Sequence, residues 1–244
     1  MKTITILFAV VLLIGCASQK SNIEEKMIFT TMPAEINTTL EIEMTAGKSH
    51  NHPTFSIWIE DLKGNYIETL YATQYIAKGV FGHGEIAPGK WSNEPGEVRR
   101  PAAVPYWAHK RNIKAEDGLY VPSPETAVPD ALTGATPKES FILKTGTKLQ
   151  ANQKFNVLLE INQPWDSNNF WTNNKFPEDK DYQTSLQPAI VYATTVDTNS
   201  IEEEYILKPI GHSHYSGKTG ELFTDLSSLT TAKEIVQKIV VRIK

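Results

Sequence analysis

The chain has 244 residues, a formal net charge of −4 and a single cysteine. That length makes one large domain or two small ones, with ample chain to bury a core, and the ordinary composition excludes disorder, collagen and coiled coil. The mild acidity argues against a nucleic-acid partner, and one cysteine excludes intrachain disulfides, thiolate zinc sites, iron–sulfur clusters and attached c-type haem.

Lys2 is a short positive n-region. Thr3 to Ile14 is an almost unbroken apolar run, long enough for a signal-peptide h-region and too short to span a bilayer. It ends in Leu13-Ile14-Gly15-Cys16, which resembles a bacterial lipobox. The resemblance implies that the Cys16 thiol is diacylated, that residues 1–15 are removed, and that the new amino group is acylated too. Each acyl methylene buried in a membrane contributes roughly 0.8 kcal/mol. The alternative is a plain secretory peptide with an incidental cysteine. Residues 16–26 are polar and read as a flexible tether, and 27–244 as a β-domain with an internal boundary considered near 120–130. The expected location is the bacterial cell envelope, periplasmic or cell-surface, with the membrane as partner through the lipid anchor.

The body predicts strands. Thr39 to Met44 alternates with period two, as does Thr54 to Glu60, which puts Phe55, Ile57 and Ile59 on one face and Trp58 on the other. Asp61-Leu62-Lys63-Gly64-Asn65 reads as a turn, with Tyr66 to Tyr71 returning as the second arm of a hairpin. Further strands are expected at Phe141 to Lys144, Phe155 to Ile161, Ala189 to Val196, Tyr205 to Ile210 and Lys238 to Ile243. The best helix candidate is Leu229 to Gln237, with Thr230 or Thr231 as N-cap and Glu234 at the capping-box position. Phe81 to Asp117, with Trp91 and Trp107, and Asn162 to Gln187, with Trp165 and Trp171, read as long loops. Short strands between Gly, Pro and Asn clusters predict an all-β, antiparallel β-sandwich, immunoglobulin-like with long loops.

Asp130-Ala131-Leu132-Thr133-Gly134-Ala135-Thr136 resembles the short signal read by bacterial flavin transferases. The resemblance implies FMN joined through a phosphoester to Thr136, with Asp130, Thr133, Gly134 and Ala135 at the other fixed places. The following Pro137 and the strand-like Phe141 to Lys144 depart from the usual flavoprotein context. The block Phe55-Ser56-Ile57-Trp58-Ile59-Glu60-Asp61 through Thr69-Leu70, the turn Asp130 to Pro137 and the strand Phe155 to Ile161 are together similar to an uncharacterised bacterial periplasmic lipoprotein family. Members of that family often accompany flavin-transfer and membrane redox components. The turn-then-strand pattern is also similar to hook-cap immunoglobulin-like domains. On this second resemblance the turn is structural, with Thr133 and Thr136 satisfying backbone groups and Gly134 supplying an unusual φ.

Four of the six histidines form two His-x-His pairs, His50 with His52 and His212 with His214. On a strand each pair would offer two imidazoles on one face, and without thiolates such a site suits zinc or copper; His83 and His109 are extra ligand candidates. The Asn/Asp segment Asp166, Asn168, Asn169, Asp179 and Asp181 could offer oxygen ligands to calcium, but lacks the EF-hand spacing and reads better as a solvated loop. The tryptophans of the two long loops fit either a sugar- or protein-binding surface or a cap on the sandwich. The chain carries no Gly-x-Ser-x-Gly elbow, no P-loop and no Gly-x-Gly-x-x-Gly after a strand, and Glu60 and Asp61 alternate faces.

These readings converge on a lipid-anchored, non-enzymatic binding or accessory module, with an extracytoplasmic redox setting and a protein or redox partner implied by the family resemblance. A covalent FMN carrier on Thr136 and a histidine-based metal protein are the alternatives. Cys16→Ser is expected to move the chain from the membrane fraction to the soluble fraction and to abolish labelling by a fatty-acid analogue. Unchanged labelling would refute the anchor.

Overall fold

The computed structural model describes residues 26–81, 85–87, 90–91, 94–199 and 204–244. Cys16 and His83 lie outside them. The strands in chain order are β1 (Met27–Thr30), β2 (Thr38–Ala46), β3 (Thr54–Glu60), β4 (Tyr66–Thr73), β5 (Val80–Phe81), β6 (Glu85–Ala87), β7 (Lys90–Trp91) and β8 (Gly96–Glu97). They continue with β9 (Thr133–Gly134), β10 (Phe141–Thr147), β11 (Lys154–Asn162), β12 (Ile190–Asp197), β13 (Tyr205–Ile206), β14 (Lys208–His212) and β15 (Val236–Ile243). Among the described residues the α-helices are α1 (Gln74–Lys78), α2 (Pro105–Arg111) and α3 (Lys180–Ser185), all short. No helix among the described residues is long and apolar enough to cross a membrane.

Two sheets form a β-sandwich. One has the order β1-β10-β2-β15-β13, the other β14-β12-β11-β3-β4-β9. Most neighbours are antiparallel, as expected, but β1 and β9 each join an edge in parallel, so both sheets are mixed. The β3–β4 hairpin forms at the expected turn. The Asp61 carboxylate accepts the N–H groups of Lys63 and Asn65, and Gly64 takes the left-handed φ of 82° that the turn requires.

Phe55, Ile57 and Ile59 pack between the sheets with Leu40, Ile42, Phe141 and Leu159. Trp58 points the other way, as the alternation predicts. All seven residues of β3 are nevertheless buried, because a third layer covers the outer face. Trp58, Leu158 and Val191 pack there against Ile76 and Ala77 of α1, Trp107 and Ala108 of α2, and Val121 and Val128. The stretch near 120–130 is thus part of this packing.

Several elements depart from the sequence-based expectation. Phe81 to Asp117 holds short strands and α2 rather than being only loop. Val104, Trp107, Ala108 and Arg111 follow a helical spacing, with Pro105 at the first helical turn. Tyr205 to Ile210 is not one strand. β13 pairs with β15 in one sheet, β14 pairs with β12 in the other, and buried Leu207 lies where the chain changes sheets. Leu229 to Gln237 is a single 3-10 turn, Thr231–Glu234, after which β15 begins. Ile235, Val236, Ile239, Val240 and Val241 are β-branched and buried, which favours the sheet over a helix. Glu234 reaches across to Lys48 and Ser49 instead of closing a cap.

Two carboxylates stand on the outer face under α2. Glu60 accepts the Trp58 indole N–H at 2.9 Å and faces the Lys110 ammonium at 3.4 Å. Glu160 is fully buried and accepts the N–H groups of Tyr106 (3.1 Å) and Trp107 (2.7 Å), which open α2. Burial pushes the Glu160 carboxyl up to about 7, against the pull of those N–H groups and of Ser213. A carboxyl with a folded pKa above its ordinary 4.5 holds its proton more tightly in the native state. Its contribution is therefore complete below about pH 4.5 and declines as pH rises to about 7, by on the order of 3 kcal/mol at most. Glu160→Gln is expected to flatten this decline. Urea unfolding midpoints at about pH 5 and about pH 8 check it, and equal declines in both proteins would assign the slope to other groups.

Candidate functional site

The two His-x-His pairs do not converge. Each ring nitrogen of His50 is taken up by a backbone carbonyl, Nδ1 by Ile235 at 3.2 Å and Nε2 by Pro137 at 3.1 Å. His52 is exposed, has a left-handed φ of 53°, and bonds the neighbouring Asn51 side chain. His212 pairs with Ile190, Ile190 with Ile161, and Ile161 with Phe55. His212 therefore lies three strands from Phe55, about 14 Å at sheet spacing. Among the described residues no group of three or more His, Cys, Asp or Glu is placed to hold a metal. His50, His52, His212 and His214 therefore form no common metal site among the described residues. His109, the other described candidate, bonds the Pro105 carbonyl at 2.8 Å and packs on Tyr120.

His212 and His214 do come together, with different company. They line a cleft of about 530 Å³ with Phe170, Trp171, Tyr215 and Phe223. The segment after β14 builds one wall. Phe223 and His212 exchange both backbone hydrogen bonds at 2.8 Å, so Phe223 extends the sheet edge and its ring stacks on the imidazole, centroids 5.3 Å apart. Gly211 makes this approach feasible, since a Cβ there would sit 2.7 Å from the Phe223 carbonyl oxygen. Buried Ser213 faces inward and donates its N–H to Ala189, which turns the two flanking histidines to the cleft.

The other wall comes from the Asn/Asp segment, a largely exposed loop in which Asp166, Asn168 and Asp179 are bound to the rest of the fold. Asn168 Oδ1 accepts the N–H groups of Phe170 (2.8 Å) and Trp171 (2.7 Å), and its amide donates to Gln187 and to the Ser228 carbonyl. Thr231 donates to Asp166. Asp179 caps α3 through Tyr182 N–H and pairs with Lys218 at 2.8 Å. Asp166 Oδ1, Asn168 Oδ1 and both Asp179 oxygens are thus engaged by the fold, while Asp166 Oδ2 is buried without a hydrogen-bond partner. Trp171 donates its indole N–H to the Ser228 hydroxyl at 3.1 Å, and the Lys175 ammonium sits 3.1 Å from the Phe170 ring centre. Phe170 remains 54% exposed and Phe223 38%, so apolar ring surface faces solvent at the mouth.

The two imidazoles present opposite hydrogen-bond polarity. His212 Nδ1 lies 2.8 Å from the Ser213 carbonyl oxygen, which only accepts, so Nδ1 carries a proton and the corresponding neutral tautomer has Nε2 as an acceptor. His214 Nδ1 accepts the Ser216 N–H at 3.2 Å, so its proton sits on Nε2, a donor. Burial and Lys218 hold the His214 pKa below the ordinary imidazole value, which keeps this ring neutral near pH 7. Glu221 and Asp225 line the same cleft, and the Ser227 N–H holds the Asp225 carboxyl below its usual range. Two of the other loop tryptophans lie elsewhere. Trp107 is in the outer core, and Trp165 is exposed beside Arg100.

The Asp130–Thr136 segment is tied down along its length. Asp130 pairs with Lys78 at 2.7 Å, and Thr133 donates to the Asp130 carbonyl at 3.2 Å. Thr133 and Gly134 pair with Ala72 and Thr73 of β4, and Tyr71 donates to the Ala135 carbonyl at 2.7 Å. Thr136 is half-buried. Gly134 does not have the unusual φ expected of it. Glycine is required there by proximity, since a Cβ would lie 2.7 Å from the Tyr71 hydroxyl.

No family model, curated protein or solved structure matches this chain.

Proposed function

We propose that the chain is an envelope-anchored, non-enzymatic binding module, and that its ligand is a neutral polyhydroxylated molecule, a saccharide, seated in the His212–His214 cleft. The carrying observation is the pair of imidazoles, His212 with Nδ1 on the Ser213 carbonyl and His214 with Nδ1 accepting from Ser216, set beside the exposed faces of Phe170 and Phe223. A sugar hydroxyl both donates and accepts, so adjacent hydroxyls match both nitrogens while the pyranose C–H face covers a ring. Glu221 and Asp225 supply further acceptors at the rim. The lipid anchor on Cys16 is the means of holding this cleft at a membrane surface.

Titration of the full chain with chitotriose, cellotriose and maltotriose, followed by tryptophan fluorescence, tests the reading. Saturable binding of at least one is expected, with Phe223→Ala and His212→Ala each weakening it by about tenfold. Absence of binding by all three, or equal affinity in both variants, would sink it.

The covalent-flavin reading remains a distinct proposal on the motif alone. A transferase would have to enclose a segment paired to β4 and bonded to Tyr71, and that anchoring supports the structural turn instead. Intact mass after co-expression with a flavin transferase is expected to show no FMN addition. An addition lost in Thr136→Ala would establish the carrier.

A further inference from the structure

A second cavity, of about 440 Å³, shares no lining residue with the histidine cleft. Its wall is largely apolar, built from Met32, Ile67, Ile113, Val128 and Leu132, and Met32 and Ile113 are exposed. Arg111, the last residue of α2, also lines it. Its guanidinium lies 5.0 Å from the centre of the Trp107 ring, and one amino group donates to the Thr126 carbonyl at 3.1 Å. The other, Nη1, is buried without a hydrogen-bond partner.

Among the described residues no carboxylate forms an ion pair with Arg111. Glu68 lines the same cavity, but its Oε1 already accepts from the Thr147 hydroxyl and the Lys148 N–H at the end of β10. The Tyr66 hydroxyl, bonded to Thr69, also lies close enough to interact with the Arg111 guanidinium, but it is a neutral phenol and supplies no counter-charge. A cation sheltered from water without a counter-charge is costly, and the cost is removed when an anion is bound against it. The planar guanidinium matches a carboxylate in a two-bond fork. The volume lies within the usual range for small-molecule sites, about 300–1,000 Å³, and each methylene buried on the apolar wall adds about 0.8 kcal/mol.

We propose that this cavity binds a monoanionic amphiphile, a carboxylate on an apolar chain, with the carboxylate on Arg111 and the chain along Met32, Ile113 and Leu132. A neutral alcohol of the same length satisfies the wall and leaves the charge unpaired, so the two must differ in affinity.

The experiment titrates the full chain with decanoate and with decanol, by calorimetry and by the fluorescence of Trp107 and its neighbours. Decanoate is expected to bind saturably and at least about tenfold more tightly than decanol, the difference a charged hydrogen bond makes. Arg111→Gln is expected to bring decanoate down to the level of decanol. Leu132→Trp, which fills the cavity and keeps the charge, is expected to abolish both. Absence of saturable decanoate binding, equal affinity for acid and alcohol, or unchanged decanoate affinity in either variant would overturn the proposal. If Arg111→Gln fails to fold by circular dichroism, the acid-to-alcohol ratio and Leu132→Trp decide it.

Discussion

The six-stranded sheet is dry on both faces over its central strands, and the architecture depends on how that sheet is covered. Its inner face meets the other sheet through Phe55, Ile57 and Ile59, while its outer face carries Trp58, Leu158 and Val191. An outer face with these side chains demands a lid, and the chain between β4 and β10 supplies it. The same face carries two carboxylates, and a buried carboxylate must be hydrogen-bonded or neutralised. Glu160 meets that demand by accepting the N–H groups that open α2, so the carboxyl that burial pushes toward its neutral form also pins the lid to the sheet. Glu60 does the same through Trp58 and Lys110.

Both cavities follow from this layering. The histidine cleft forms at the free edge of β14, where Phe223 pairs with His212 and the Asn168 network holds Phe170 and Trp171 opposite. The Arg111 cavity forms where the lid ends and the chain returns toward β9. In each, a few polar groups stand in a largely aromatic or aliphatic wall, the composition common to small-molecule sites. Ser213 links the two levels. It contributes to the surroundings of Glu160 while its neighbours on either side face the cleft.

Much of the β-framework was legible along the chain. Period-two alternation placed β2 and β3 and correctly sent Trp58 to the opposite side from Phe55 and Ile57, the turn that follows placed β4, and β11 was expected as a strand. Asp61 to Asn65 announced its turn through residues that bond their own backbone. The helical spacing of Val104, Trp107, Ala108 and Arg111 was also present, but it sat among prolines and glycines that dominate a local reading. The stretch from Tyr205 to Ile210 did not reveal that Leu207 would carry it from one sheet to the other. The pairs His50/His52 and His212/His214 look alike in sequence, yet only the second pair lies together in a cleft, because its companions Phe170, Trp171 and Phe223 come from distant segments.

By itself, the sequence determined the β-rich character, the alternating faces, the turn residues and the absence of thiols after Cys16, because each rests on interactions within a few residues. Only the tertiary structure decided that β3 is buried on both sides, that Glu160 holds α2, that Gly134 is required by Tyr71 rather than by φ, and that Arg111 has no carboxylate paired with it among the described residues. Each of these depends on a partner dozens of residues away, and strand order and layer packing, rather than local pattern, determine which partner that is.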